Sequence, residues 1–235
     1  MKVKLLIKDK KLCVELNKEI SIRQLAKFTW GNASVRIGDC IVIKPSGVPF
    51  NQLEPSVMSV VELDTGRHLS GLKPSVDTDI HLQIYRNFEN TASVMHTHSK
   101  FATMFAQAKM PIPLIGTTHA DYFPCDIPVT DQIALNSDDG TSVEDRMGRE
   151  VVQVAKQKFP EGCEAFAVLM MSHGVVVWNN DPLKLVESAI ILEEIAEIAH
   201  GSHMLNPTMK VAASDVALFK FHYNRKCGKD KYYGQ

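Results

Sequence analysis

The tightest constraint on this chain is a pair of apolar runs separated by three residues. Residues 165–171 (AFAVLMM) form one run, Ser172-His173-Gly174 interrupts it, and Val175-Val176-Val177-Trp178 resumes it. Two runs too short for helices, joined by a Gly-containing turn, predict a β-hairpin with both strands buried. Such a hairpin belongs to a sheet covered by other elements.

Those elements can be read along the chain. Residues 5–20 mix charged and apolar positions as an amphipathic helix does. Cys40-Ile41-Val42-Ile43 is a β-branched run that stops at Lys44-Pro45-Ser46-Gly47, and residues 57–63 form a strand closed by the turn Asp64-Thr65-Gly66. Pro74-Ser75-Val76-Asp77 opens a helix in which Ile80, Ile84 and Phe88 recur at helical spacing, with Ser75 or Asp77 available as caps. A strand over 92–98 and a helix over 99–108 follow. Asp181-Pro182 starts the longest helix, to about His200, with Val186 and Ile190 on a buried face and Glu193 and Glu194 on a wet one. Helices alternate with strands, yet tight hairpins also occur, so the expected sheet is mixed or largely antiparallel.

At 235 residues, without repeats or Gly/Ser linkers, one domain spanning 1–235 is the default. The 26 Lys+Arg balance 27 Asp+Glu to a formal net charge of −1, which excludes a global positive field for nucleic acid or anionic membrane. No apolar stretch approaches the roughly 20 residues of a transmembrane helix. The N-terminal MKVKLLIKDKKL has no long apolar core or small-residue cleavage site, so a cytoplasmic protein is expected. Five scattered cysteines, odd in number and never in a C-x-x-C pair, predict reduced thiols.

The sharpest chemical signal is His96-Thr97-His98. Residues i and i+2 of a strand share a face, so two imidazoles can offer nitrogens to one cation. Asp77, His119 (in Thr117-Thr118-His119-Ala120-Asp121) and His173 sit at element boundaries where side chains can converge. A set of three histidines and a carboxylate suits Zn²⁺ or a similar divalent ion, with Mn²⁺ or Co²⁺ as substitutes, and spacing leaves His119 and His173 equal candidates. Two segments read as an anion cradle. Trp30-Gly31-Asn32-Ala33-Ser34 offers close backbone approach plus amide and hydroxyl donors, and Lys44-Pro45-Ser46-Gly47 offers an ammonium, a hydroxyl and free amides. The helix start near Ser75 adds unsatisfied N–H groups. The polar tail from Arg225 to Gln235 reads as a fraying terminus in which tyrosines are potential proton donors.

With those residues in view, the chain resembles the L-ribulose-5-phosphate 4-epimerase group of the class II aldolase/epimerase superfamily. The matching segments are TWGNAS, IKPSGV, KPSVDT, HTHSKFAT, GTTHADYF, SHG and HYNRK…YYGQ, in order from Thr29 to the last residue. The resemblance implies an α/β fold, a three-layer α/β/α sandwich around a central, largely antiparallel sheet. It implies one zinc ion per subunit on Asp77, His96, His98 and His173, leaving His119 a supporting or structural role. It further implies a phosphate pocket at Asn32, Lys44, Ser46, Gly47 and Ser75. Asp121 and Tyr233 would form the acid/base pair, supported by His222 and Arg225. The substrate would be a phosphorylated ketopentose, and the assembly a C4 homotetramer with sites between subunits, the tyrosine coming from the adjacent chain. One departure is Val76, where the family usually carries a second serine. Two alternatives are an aldolase resembling L-fuculose-phosphate aldolase, whose branch typically has Glu in place of Asp77, and a non-catalytic scaffold resembling the adducin head, which would be expected to lack ligand histidines.

Overall fold

The computed structural model describes residues 2–133, 140–228 and 231–232. One seven-stranded sheet organises them: β1 (Asn32–Ile37), β2 (Cys40–Ile43), β3 (Ser59–Glu62), β4 (His68–Ser70), β5 (Ser93–Thr97), β6 (Ala165–Met170) and β7 (Gly174–Asn179). Their spatial order is β4-β3-β2-β1-β5-β7-β6, and every neighbouring pair is antiparallel. The hairpin of residues 165–178 forms as expected, in register Val168↔Val176 and Met170↔Gly174, with β7 buried along its whole length. Strand β5 lies centrally, His96 facing Asn32 on one side and Val176 on the other.

Helices α1 (Lys2–Ile22), α2 (Thr78–Asn87), α3 (Lys100–Ala108), α4 (Thr117–Ala120), α5 (Val143–Lys158), α6 (Leu185–Leu205) and α7 (Ala213–Cys227) complete the described elements. On one face of the sheet, α1, α3 and α6 cover β1, β2, β5, β6 and β7, while α2 and α5 pair with each other on the opposite face. The layering is α/β/α. Alternation along β1 shows why both faces are covered. The Ala33 backbone meets buried Asn17 of α1, donating to Oδ1 at 2.7 Å and accepting from Nδ2 at 2.9 Å. The Ser34 hydroxyl points the other way, to His81 and Tyr85 of α2. On that second face Phe166 and Trp178 stack 5.2 Å apart and Phe88 lies 5.2 Å from Trp178.

Several expectations are corrected. Strand β1 begins at Asn32, so three of the five residues read as part of an anion cradle are strand residues, the Ala33 N–H donating to Asn17 Oδ1. Helix α2 starts at Thr78, and neither Ser75 nor Asp77 caps it by a side chain. A short 3-10 turn (Pro182–Lys184), capped by Asp181 accepting from the Leu183 N–H at 2.9 Å, precedes α6. Helix α6 then continues to Leu205. Glu193 is not simply a wet residue: its two carboxylate oxygens accept from the Phe101 and Ala102 amides at 2.8 and 3.0 Å, capping the N-terminus of α3. The tail read as fraying from Arg225 begins inside α7. Among the described residues no helix is long and apolar enough to cross a membrane.

Candidate active site

The site is built at one end of β5. His96 is the fourth residue of β5, His98 follows the strand's last residue, and His173 sits in the three-residue turn between β6 and β7. Ser172 adopts φ +61° there, which closes the tight loop and sets His173 beside the other two. Glycines on both flanks permit the convergence. A Cβ on Gly31 (φ +75°) would meet the His96 carbonyl oxygen at 2.7 Å, and one on Gly174 would meet that of Thr97 at 2.6 Å. Both are closer than backbone tolerates, so any side chain at either position would push a neighbouring strand off β5. Gly31 therefore serves packing against the histidine strand.

The three imidazoles form a compact group. Their ring centroids are 4.8, 5.0 and 4.9 Å apart, and one nitrogen from each lies within 4.8 Å of the others. His96 Nδ1 donates to the Val175 carbonyl at 2.9 Å, which leaves Nε2 bare and aimed at His98 Nε2, 3.0 Å away. Among the described residues, His173 Nε2 is buried without a hydrogen-bond partner. Nitrogens held at 2.0–2.1 Å by a tetrahedral ion would sit about 3.3 Å apart, so bare, converging nitrogens fit a divalent cation well. Burial lowers the His96 pKa to about 4, against the pull of Asp77, and burial followed by the charge of His173 lowers that of His98. Neutral imidazoles are the form a metal requires.

Asp77 stands beside this trio rather than within its tight group. Its Oδ2 accepts from Asn32 Nδ2 at 2.6 Å, and the same amide donates to Ser75 Oγ at 3.0 Å. Burial works against ionisation of Asp77, but His96, His81 and the Asn32 hydrogen bond together hold its pKa below the usual carboxylate value. Next to it, Lys44 and Ser75 are joined through backbone, the Ser75 N–H donating to the Lys44 carbonyl at 3.1 Å. Lys44 is buried, its Nζ donating to the Thr29 carbonyl at 3.3 Å, and burial lowers its pKa to about 8. Ser46 and Gly47 are exposed, with open space around Gly47. Asn32, Lys44 and Ser75 thus come together beside Asp77, with Ser46 and Gly47 at the open side of their turn. Ser34 does not join them: its buried hydroxyl is engaged by His81 Nδ1 at 2.7 Å and the Tyr85 hydroxyl at 2.9 Å.

His119 takes no part in the trio. It is buried, its Nε2 donates to the Cys125 carbonyl at 3.0 Å, and burial lowers its pKa to about 4. Asp121, at the end of α4, forms a second cluster with α7. His222 Nδ1 lies 3.0 Å and Arg225 Nη2 3.5 Å from Asp121 Oδ1, while Arg225 Nη2 is 2.9 Å from His222 Nδ1. That ring nitrogen serves one neighbour at a time: protonated it donates to Asp121, bare it accepts from Arg225. The Cys227 thiol donates to the Asp121 carbonyl at 3.3 Å and fixes the end of α7 to α4. Tyr233 lies outside the described residues.

Sequence reasoning missed Glu193 as the cap of the helix that follows the HTHS segment. Its signal was present, an acid at the buried edge of α6, but only tertiary packing reveals the facing amides. It also missed the Ser34–His81–Tyr85 chain behind Asp77, because none of those residues carries a motif of its own.

Residues 11–200 match the family described as Class II Aldolase and Adducin N-terminal domain. The chain belongs to that family. It is 41% identical over 215 residues, 90% of its own length and 88% of the relative's, to a protein of Mycoplasma pneumoniae named probable L-ribulose-5-phosphate 4-epimerase UlaF. It is 35% identical over 230 residues, 97% and 99% of the two chains, to L-ribulose-5-phosphate 4-epimerase UlaF of Salmonella paratyphi C. Among solved structures, an L-fuculose 1-phosphate aldolase aligns with a TM-score of 0.77 at 20% identity, covering 91% of this chain and 95% of that one. The L-fuculose-1-phosphate aldolase of Thermus thermophilus aligns at 0.69 and 19%, covering 86% and 97%. Those two likenesses establish the shared fold.

Proposed function

We propose that this chain is a sugar-phosphate enzyme that interconverts L-ribulose 5-phosphate and D-xylulose 5-phosphate by inverting C4. The observation that carries the reading is the juxtaposition of three converging imidazoles with the Asn32–Ser75–Asp77 network and Lys44. The choice of epimerisation over net cleavage draws on the relatives' names and identities.

C4 of a ketopentose phosphate carries no acidic C–H, so its configuration cannot invert by simple deprotonation. Cleaving C3–C4 is easier because the electrons can flow to the C2 ketone. In this reading a base takes the C4 hydroxyl proton, C3–C4 breaks, and dihydroxyacetone enediolate and glycolaldehyde phosphate remain bound. Rotation of the aldehyde presents its other face, C3–C4 re-forms, and an acid returns a proton to the new C4 oxygen. Asp121 and Tyr233 take these proton-transfer roles, with His222 and Arg225 setting the charge around Asp121. Asn32, Lys44, Ser46, Gly47 and Ser75 grip the phosphate, so that the fragment turns rather than escapes. His96, His98 and His173, with Asp77 as the fourth ligand, would hold the divalent ion, zinc in the first instance. Such an ion, when bound, supplies the positive charge that disperses the negative charge left by C3–C4 cleavage. The active assembly is a C4 homotetramer in which Tyr233 reaches a neighbouring subunit's site.

A coupled assay on L-ribulose 5-phosphate, with and without a chelator, tests the reading. The expected result is D-xylulose 5-phosphate formation that stops on chelation and returns with zinc. Accumulation of free dihydroxyacetone would assign the chain to the aldolases instead, and turnover unaffected by complete metal removal would overturn the metal role.

A further inference from the structure

Two large aromatic side chains stand exposed beside the metal site: Phe28 at 77% and Trp30 at 53% of full exposure. Their rings meet edge to face, centroids 5.5 Å apart and planes at 75°, and the Trp30 ring lies 6.1 Å from that of His98. Nothing about this segment is slack. The Trp30 N–H donates to the Lys27 carbonyl at 3.0 Å, Lys44 Nζ grips the Thr29 carbonyl, and Gly31 is pressed against the His96 carbonyl. Phe28 is also held at φ +56°, a conformation that costs a non-glycine residue free energy. Folding alone gains little from two aromatic rings left in water on a strained, pinned turn.

The position suggests the return. Trp30 stands between the metal trio, reached through His98, and the phosphate cradle, reached through Thr29–Lys44 and through Asn32 two residues on. A phosphorylated sugar spanning those two anchors would turn its oxygens toward metal and donors and its C–H groups toward whatever lies alongside. An aromatic face is negatively polarised and apolar, and so complements C–H groups. Resting on the sugar-phosphate reading above, we propose that Trp30, braced by Phe28, is a specificity-determining residue, the wall against which the substrate's carbon chain lies.

The test compares Trp30→Ala, Trp30→Phe and Phe28→Ala with the wild type. The KM for L-ribulose 5-phosphate is expected to rise about tenfold for Trp30→Ala and about threefold for the other two, with kcat changed less than about threefold and zinc content unchanged. A second readout needs no turnover. The chain has two tryptophans, and Trp178 is fully buried, so Trp30 is the one that ligand can reach. L-Ribulose 5-phosphate should change the wild-type tryptophan emission, inorganic phosphate should not, and the change should vanish in Trp30→Phe, whose remaining Trp178 signal reports folding. An unchanged KM in Trp30→Ala together with an unresponsive wild-type emission overturns the proposal. So does an unchanged KM in variants that dissociate the oligomer, which would make the pair a subunit contact. If the wild type does not turn over the sugar at all, the reading underneath fails and takes the proposal with it. An active wild type with indifferent Trp30 variants defeats the proposal alone.

Discussion

The histidine trio and the Asp121 cluster are built by different means. The trio rests on sheet geometry: two histidines from the end of β5, a third from the β6–β7 turn, and glycines at 31 and 174 that let the flanking strands close in. Its imidazoles lie close together, burial lowers the pKa values of His96 and His98, and among the described residues the buried His173 Nε2 has no hydrogen-bond partner. The Asp121 cluster rests on helix packing, α4 against α7, and brings a carboxylate, an imidazole and a guanidinium within hydrogen-bond distance of one another. Converging ring nitrogens can take an external cation, whereas a carboxylate beside an imidazole and a guanidinium can hold and pass a proton. The comparison predicts that the two can be broken separately.

Replacing a ligand should have the largest effect. His96→Asn is expected to lose zinc and activity together, by at least about 10⁴-fold, because the ion's charge is worth several kcal/mol in the transition state. Metal analysis beside the assay checks it, and full zinc occupancy in an inactive variant would disprove the ligand role. Asp121→Asn and Tyr233→Phe should instead slow turnover by about 10²–10⁴ while zinc content stays at the wild-type level. Co-expression of His96→Asn with Tyr233→Phe sharpens the contrast. If sites lie between subunits, mixed tetramers should recover part of the activity that neither variant has.

Gly174→Ala tests the scaffolding. The added methyl meets backbone at 2.6 Å, which should cost about 1–3 kcal/mol of stability and weaken zinc binding, measured by thermal unfolding and chelator competition. Acid offers a milder perturbation. His96 and His119 are depressed to about 4 in the folded protein, so between that value and their unfolded value near 6.5 the unfolded chain binds more protons. Stability of the metal-free protein is therefore full above about pH 6.5 and lost progressively as pH falls toward 4. His119→Gln should reduce that slope without altering zinc content. A slope of the opposite sign would mean that these imidazoles are not buried in neutral form. The smallest effect is expected of Val76→Ser. Val76 is 64% exposed at the cradle's edge, and a hydroxyl there should lower KM about threefold by adding one phosphate contact.

Much of this architecture was legible beforehand because it obeys short-range rules. The hairpin of residues 165–178, the strand carrying His96 and the helix following Asp77 are each signalled by their own residues. The resemblance chose His173 over His119; His96, His98 and His173 lie together, whereas His119 spends its Nε2 proton on the Cys125 carbonyl. What escaped depends on distant partners. Strand β1 went unread because Asn32-Ala33-Ser34 reads as a set of donors, yet its polar groups are buried against Asn17, His81 and Asp77. The last turn of α7, from Arg225, looked like part of a fraying tail because the segment is short and polar, yet Arg225 faces Asp121. Glu193 looked solvated because nothing local shows the α3 amides it caps.

Zinc-edge anomalous diffraction from crystals grown with the metal tests the central claim most directly. The expected result is a single strong peak per chain about 2.0–2.1 Å from a ring nitrogen of each of His96, His98 and His173. A peak elsewhere, with those three rings turned away from one another, would contradict it.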